Sequence, residues 1–134
     1  MAAKKLKRIS VTVRSQDREA IRACAATQNV DEVIELTRHE SCAVRVAALR
    51  EMCPCHVKAD VPDFWRRVFE MATDDDLAVR KQVMHTVCDG SPATVEAEVM
   101  AVVEAFSHDR DTDLRRLAHK IIASYRRTGK WNVL

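Results

Sequence analysis

The chain has 134 residues, 47% hydrophobic and 31% charged, with 22 Lys and Arg against 20 Asp and Glu and a formal net charge of +2. That length suits one domain with a buried core, and so small a net charge does not by itself imply nucleic-acid binding. Two glycines, three prolines and 4% aromatics, beside plentiful Ala, Val, Leu, Glu and Arg, favour helix over sheet and all but exclude a glycine-rich phosphate loop.

No apolar run approaches the roughly 20 residues that span a bilayer, and no secretory h-region opens the chain. The five cysteines are odd in number and sit mostly in helical patterns, which fits a reducing compartment. The expected setting is cytoplasmic, with a nuclear one as the alternative, and no membrane partner is expected.

Residues 1–14 form a separate basic segment, with Lys4, Lys5, Lys7 and Arg8 followed by alternating Ile9, Val11 and Val13. A flexible terminus is the expectation; a nuclear-import patch or a phosphate-binding arm is the sharper reading. From Ser15 onward a single repeat domain is expected. Ser15 is a candidate N-cap for a helix over 17–27, with Ala20, Ile21, Cys24 and Ala25 on its apolar stripe. Asn29 with Glu32 reads as a capping box opening a helix over 30–38, with Val33, Ile34 and Leu36 inward.

Ser41 opens a helix that Pro54 stops. Pro62 fits the first turn of a helix over 60–73, with Phe64, Val68, Phe69 and Met71 apolar. The stretch Asp74–Asp89 then reads as one amphipathic helix behind an acidic cap, with Leu77, Val79, Val83, Met84 and Val87 at helical spacing and Gly90 as the C′ glycine. Ser91-Pro92 opens a helix to about Ser107, with Val95, Val99, Val102, Val103 and Phe106 inward. Asp111 opens the last helix, which Gly129 ends. Trp131, Val133 and Leu134 form an apolar tail that, left exposed, would pair two chains; a monomer or weak dimer is expected.

A repeat runs through these elements. Val44-Arg45, Val79-Arg80 and Leu114-Arg115 stand at one offset, 80 − 45 = 115 − 80 = 35. At that offset the caps Ser41, Asp76 and Asp111 align. So do the apolar columns Val44/Val79/Leu114, Ala48/Val83/Ala118, Met52/Val87/Ile122, Val33/Val68/Val103 and Leu36/Met71/Phe106. Agreement of cap, core and outer-helix columns marks stacked repeats, placed approximately at 29–54, 60–89 and 91–127.

With Asp-x-x-Val-Arg at Asp76 to Arg80, and its variants around Ser41 to Arg45 and Asp111 to Arg115, the chain resembles the HEAT-repeat family in a compact, short-repeat form. The period is shorter than the usual ≈ 40–47, and the signatures of tetratricopeptide and ankyrin repeats are missing. The resemblance covers about Asn29 to Arg127, with the preceding helix as an N-terminal cap. It implies an all-α, right-handed α-α superhelix of three helix pairs. It also implies a structural ladder in which Arg45, Arg80 and Arg115 bond to acidic or backbone groups of neighbouring turns, with Asp76 and Asp111 in the same construction.

In such a stack the second helix of each pair lines the concave face. Two columns off the core run along it, Val46/Lys81/Arg116 and Arg50/His85/Lys120. Arg50, Lys81, His85, Arg116 and Lys120 are therefore the candidate partner-binding residues. The intervening helices carry Glu32, Glu35, Glu70, Glu96, Glu98 and Glu104, so charge is partly segregated. A basic stripe attracts an acidic protein segment or a phosphate backbone. The expected function is a protein–protein interaction scaffold. Nucleic-acid binding is the alternative, and a bilin-lyase-like enzyme, with His85 as its one nameable residue, is the second. Cys53-Pro54-Cys55-His56 lacks zinc-finger spacing and a second ligand pair, and His39, His108 and His119 are isolated. No catalytic residue, cofactor or metal is expected.

Overall fold

A computed structural model describes residues 14–51 and 61–134. The basic cluster and the strand-like Ile9 to Val13, and the Cys53-Pro54-Cys55-His56 stretch, lie outside the described residues. Within them the fold is all-α, with no strand. In chain order come α1 (Ser15–Ala26), α2 (Val30–Leu36), α3 (Cys42–Glu51), α4 (Pro62–Glu70), α5 (Leu77–Val87), α6 (Glu96–Phe106) and α7 (Thr112–Thr128). Short 3-10 turns, Met71–Thr73 and Ala93–Val95, follow α4 and precede α6.

Side-chain caps open α2, α5 and α7. Asp76 Oδ1 accepts from the amides of Ala78 (2.8 Å) and Val79 (3.3 Å), and Asp111 Oδ2 accepts from Leu114 N at 2.9 Å. Each satisfies amides that have no partner inside the helix. At α2 the expected reciprocal box is relayed. Asn29 Oδ1 takes Asp31 N at 3.0 Å, but Glu32 reaches Thr27 Oγ1, and Thr27 Oγ1 in turn takes Asn29 N at 3.1 Å. Ser15 is not a cap; it lies inside α1, and Arg14 holds the N-cap position.

One helix end differs from expectation and another meets it. α5 stops at Val87 with Cys88 as its C-cap, so Gly90 lies one residue beyond the C′ position, at φ 106°. Gly129 is the left-handed C-cap of α7, at φ 72°, and its amide donates to Tyr125 O at 2.7 Å. An L-side chain is disfavoured there by its own backbone.

α1 packs on α3 and α3 on α5; α2 packs on α4 and α4 on α6; the neighbours α2–α3, α4–α5 and α6–α7 also touch. Apolar seams explain this adjacency. Val44, Val79 and Leu114 are each 0% exposed, as are Ala48, Val83 and Ala118. Val33, Val68, Val103, Met71 and Phe106 are buried as well, while Leu36 is half-buried against the same core. Each large aliphatic so enclosed contributes about 1.5–3 kcal/mol over leaving it in water. Trp65, absent from the expected core, is buried too, edge-on to Phe64 with ring centroids 4.8 Å apart.

The C-terminal tail is docked rather than free. Trp131 Nε1 donates to Ser91 Oγ at 2.7 Å, Asn132 Oδ1 accepts from the amides of Gly90 (2.8 Å) and Ser91 (3.0 Å), and Leu134 N donates to Cys88 O at 3.1 Å. Trp131 and Leu134 pack against the core, leaving Val133 as the exposed large hydrophobic among the described residues. The apolar surface expected to pair two chains is therefore mostly used within the chain itself.

Candidate functional site

Arginines at the start of α3, α5 and α7 organise the region where successive helix pairs meet. A Cβ on a helix leans toward the N-terminus, so each guanidinium folds back over its own first turn into the preceding loop. Arg80 Nη1 donates to the carbonyls of Asp74 and Asp75, both at 3.0 Å. Arg45 Nη1 does the same to His39 O (3.0 Å) and Glu40 O (2.9 Å), and Arg115 Nη1 to Asp109 O at 2.7 Å.

The remaining edge of two of these guanidiniums grips a carboxylate of the next unit. Arg45 Nε and Nη2 meet Asp74 Oδ2 and Oδ1 at 3.0 and 3.1 Å. Arg80 Nε and Nη2 meet Asp109 Oδ2 and Oδ1 at 2.9 and 3.2 Å. Both are parallel two-bond forks, the geometry that suits guanidinium and carboxylate best. Arg115 instead turns Nη2 to Thr112 Oγ1 at 3.1 Å.

The acceptors of these forks are thus Asp74 and Asp109, whereas Asp76 and Asp111 cap their helices. The two jobs are linked within one turn. Asp74 Oδ1 also accepts from Asp76 N (2.9 Å) and Asp109 Oδ1 from Asp111 N (2.8 Å), so each Asp-x-Asp joins a clamp to a cap. In the first unit His39 stands where an aspartate would, and its Nδ1 accepts from Ser41 N at 3.0 Å. The Asp74/Asp109 pairing was visible at the repeat offset, but His39 breaks the column and hid it.

Burial sharpens the electrostatics. Around Asp109 desolvation works to raise the carboxyl, yet the Arg80 hydrogen bonds, the Asp111 amide and the charges of Arg80 and Arg110 outweigh it and hold the group below its ordinary 3.8. Asp17 on α1, only 2% exposed, behaves alike. Its desolvation is outweighed by hydrogen bonds from Arg14 and Ser41 and by the charges of Arg14 and His39. Cys88 has no such partner, and burial pushes its thiol up to about 12; burial likewise raises Cys24 and Cys42.

The five candidate partner-binding residues do not share one environment. Val46, which heads one column, is core. Lys81 is drawn inward, its side chain 12% exposed and its Nζ 3.9 Å from Asp111 Oδ2. Arg50 is exposed and places Nε 3.4 Å from Gln82 Oε1. His85, 48% exposed, lies 3.5 Å from Asp89. Arg116 and Lys120 are exposed on α7.

The bland columns of the sequence also conceal how α7 ends. Arg126, Arg127 and Lys130 are exposed beyond Arg116 and Lys120, on a helix whose opposite side is core; helical spacing alone would have found them. Among the described residues no group of His, Cys, Asp and Glu is placed to hold a metal ion, and no helix is long and apolar enough to cross a membrane. No protein-family model, curated protein or solved structure matches the chain.

Proposed function

We propose that the chain is a short HEAT-like solenoid, a right-handed superhelix of three helix pairs behind α1, that serves as a scaffold for a partner protein carrying an acidic segment. The single observation that carries this reading is the recurrence of the Arg45–Asp74 and Arg80–Asp109 forks across 29 residues each time. Forks at a fixed interval hold successive pairs in one register, and a surface held that way needs little ordering on binding. The face that α3, α5 and α7 share would carry Arg50, Lys81, His85, Arg116 and Lys120, a net cationic patch that draws in carboxylates and sets the rate of encounter.

A polyglutamate peptide is the direct probe, followed by fluorescence anisotropy at low salt. The reading expects R116E/K120E to weaken binding by about tenfold, since two charges are reversed in a surface patch. The thermal transition should stay where it is, because both side chains are exposed. Peptide affinity that is the same for both proteins would end this reading.

A further inference from the structure

α7 is amphipathic in an unusual sense: from Arg116 to Arg127 the charges on its outer side are all cationic. Leu114, Leu117, Ala118, Ile121 and Ile122 form the buried side. Arg116, Lys120, Ala123 and Arg127 recur at spacings of four, three and four on the opposite side, one stripe of an α-helix, with His119 and Arg126 beside it. All six are exposed, as is Lys130 just past the helix. Among the described residues none of the five cations, Arg116, Lys120, Arg126, Arg127 and Lys130, has an ion pair or a side-chain hydrogen bond. The one acid of α7 is Asp113, in its first turn. The neighbouring α6 is the reverse, with Glu96, Glu98 and Glu104 and no cation.

Favourable placement near the C-terminal carbonyls accounts for Arg126 and Arg127, but not for Arg116 and Lys120 in the first half. Beyond the Arg116–Lys120 patch, a protein interface would be centred on aromatic or aliphatic side chains, and Ala123 is all that this half of the stripe offers. An interfacial membrane helix needs Trp, Phe or Leu to insert, and α7 exposes none. A row of cations without apolar anchors or carboxylates fits a ligand whose charge repeats at fixed intervals.

From these features we infer that the outer face of α7 is a track for a nucleic-acid phosphate backbone, read by charge and not by sequence. At about 1.5 Å per residue, Arg116 and Arg127 are roughly 16 Å apart along the axis. Over that length one strand of a duplex presents about five phosphates, at one per 3.4 Å. The four cations Arg116, Lys120, Arg126 and Arg127 match that supply, and the small Ala123 lets the backbone approach between them. The track extends past the patch assigned to an acidic protein segment, sharing only Arg116 and Lys120 with it.

The full chain is tested against fluorescent duplexes of about 20 base pairs in two unrelated sequences, over about 50–200 mM salt. Equal affinity for both sequences is expected, with log K falling against log salt at a slope of about −3 to −4, the value for about four neutralised phosphates. R126E/R127E should weaken duplex binding by at least about tenfold and flatten the slope by about 2, while polyglutamate binding at the Arg116–Lys120 patch persists. Circular dichroism keeps the variant's helix content in view. Duplex binding that is absent, or insensitive to R126E/R127E, overturns the track. Polyglutamate or anionic vesicles bound as tightly as duplex also overturn it, and the first of these would leave the protein-scaffold reading standing.

Discussion

Arg80 and Asp109 meet in a two-bond fork, Nε to Oδ2 at 2.9 Å and Nη2 to Oδ1 at 3.2 Å, with side chains only 6% and 10% exposed. Removing one partner of such a pair strands the other charge away from water, which is why loss exceeds what the pair itself contributes. Arg80→Ala should therefore cost about 3 kcal/mol. Arg45→Ala should cost less, since Arg45 and Asp74 are 17% and 14% exposed, and Arg115→Ala least, because Arg115 grips no carboxylate among the described residues. Urea midpoints of the three variants check the ranking; equal losses would contradict it.

Clamp and cap are separable within one Asp-x-Asp turn. Asp111→Ala removes a hydrogen bond to Leu114 N and the 3.9 Å approach of Lys81, a loss of about 1 kcal/mol on the scale of N-caps. Asp109→Ala removes both bonds from Arg80 and the one from Asp111 N, and should cost about three times as much. Denaturant titration of the pair distinguishes the roles, and a cap loss as large as the clamp loss would merge them.

Acid should act on the same turn. The folded carboxyl of Asp109 lies below its ordinary 3.8, so near that pH the unfolded chain holds more protons than the folded one. Its contribution is complete above the ordinary value and is lost as pH falls through it towards the lower folded value. Asp17 adds in the same direction. Between about pH 5 and pH 3 the Asp109→Asn variant should lose stability less steeply than the wild type. Parallel pH profiles of the urea midpoint would count against the assignment.

The C-terminal tail gives a prediction of another kind. Asn132 makes bonds to Gly90 N, Ser91 N and Ser91 O, and Trp131 packs edge-on to Tyr125 with ring centroids 6.2 Å apart. Asn132→Ala should cost about 1–2 kcal/mol through the unpaired amides of the Gly90 turn. It should also shift the emission of Trp131 to the red as that ring gains water, and an unmoved spectrum in a Trp65→Phe background would show the tail held by other contacts. Cys88, with its thiol pushed up to about 12, should resist alkylation until the chain unfolds; mass-mapped labelling of native protein reads this directly.

Much of the all-α architecture was legible because three independent signals agree at one period. The Val79 and Val83 columns mark the seams, Asp76 and Asp111 mark helix starts, and the Val68 and Met71 columns mark the outer helices, while Gly129 marks a stop outside the period. What stayed hidden depends on reach across the chain. That Arg80 would take Asp109 rather than Asp111 follows from how far a guanidinium folds back over its own turn, a distance that adjacency in sequence does not encode. Lys81 read as a surface cation, yet Asp111 draws it inward. Trp65 lies between Phe64 and Phe69 in space, where its burial is settled by neighbours and not by its own short helix. The tail looked sticky because Trp131 and Leu134 are apolar; their partners, Ser91 and Cys88, are some 40 residues away.

The central claim is that an arginine of one helix pair and a carboxylate of the next are coupled and so hold the register. A double-mutant cycle on Arg80→Met and Asp109→Leu, followed by urea unfolding, measures that coupling alone. The expected result is an interaction energy of at least about 1.5 kcal/mol, with the double variant far less damaged than the sum of the two single ones. Additive losses, with a coupling energy near zero, would mean that Arg80 and Asp109 are neighbours without holding the pairs together.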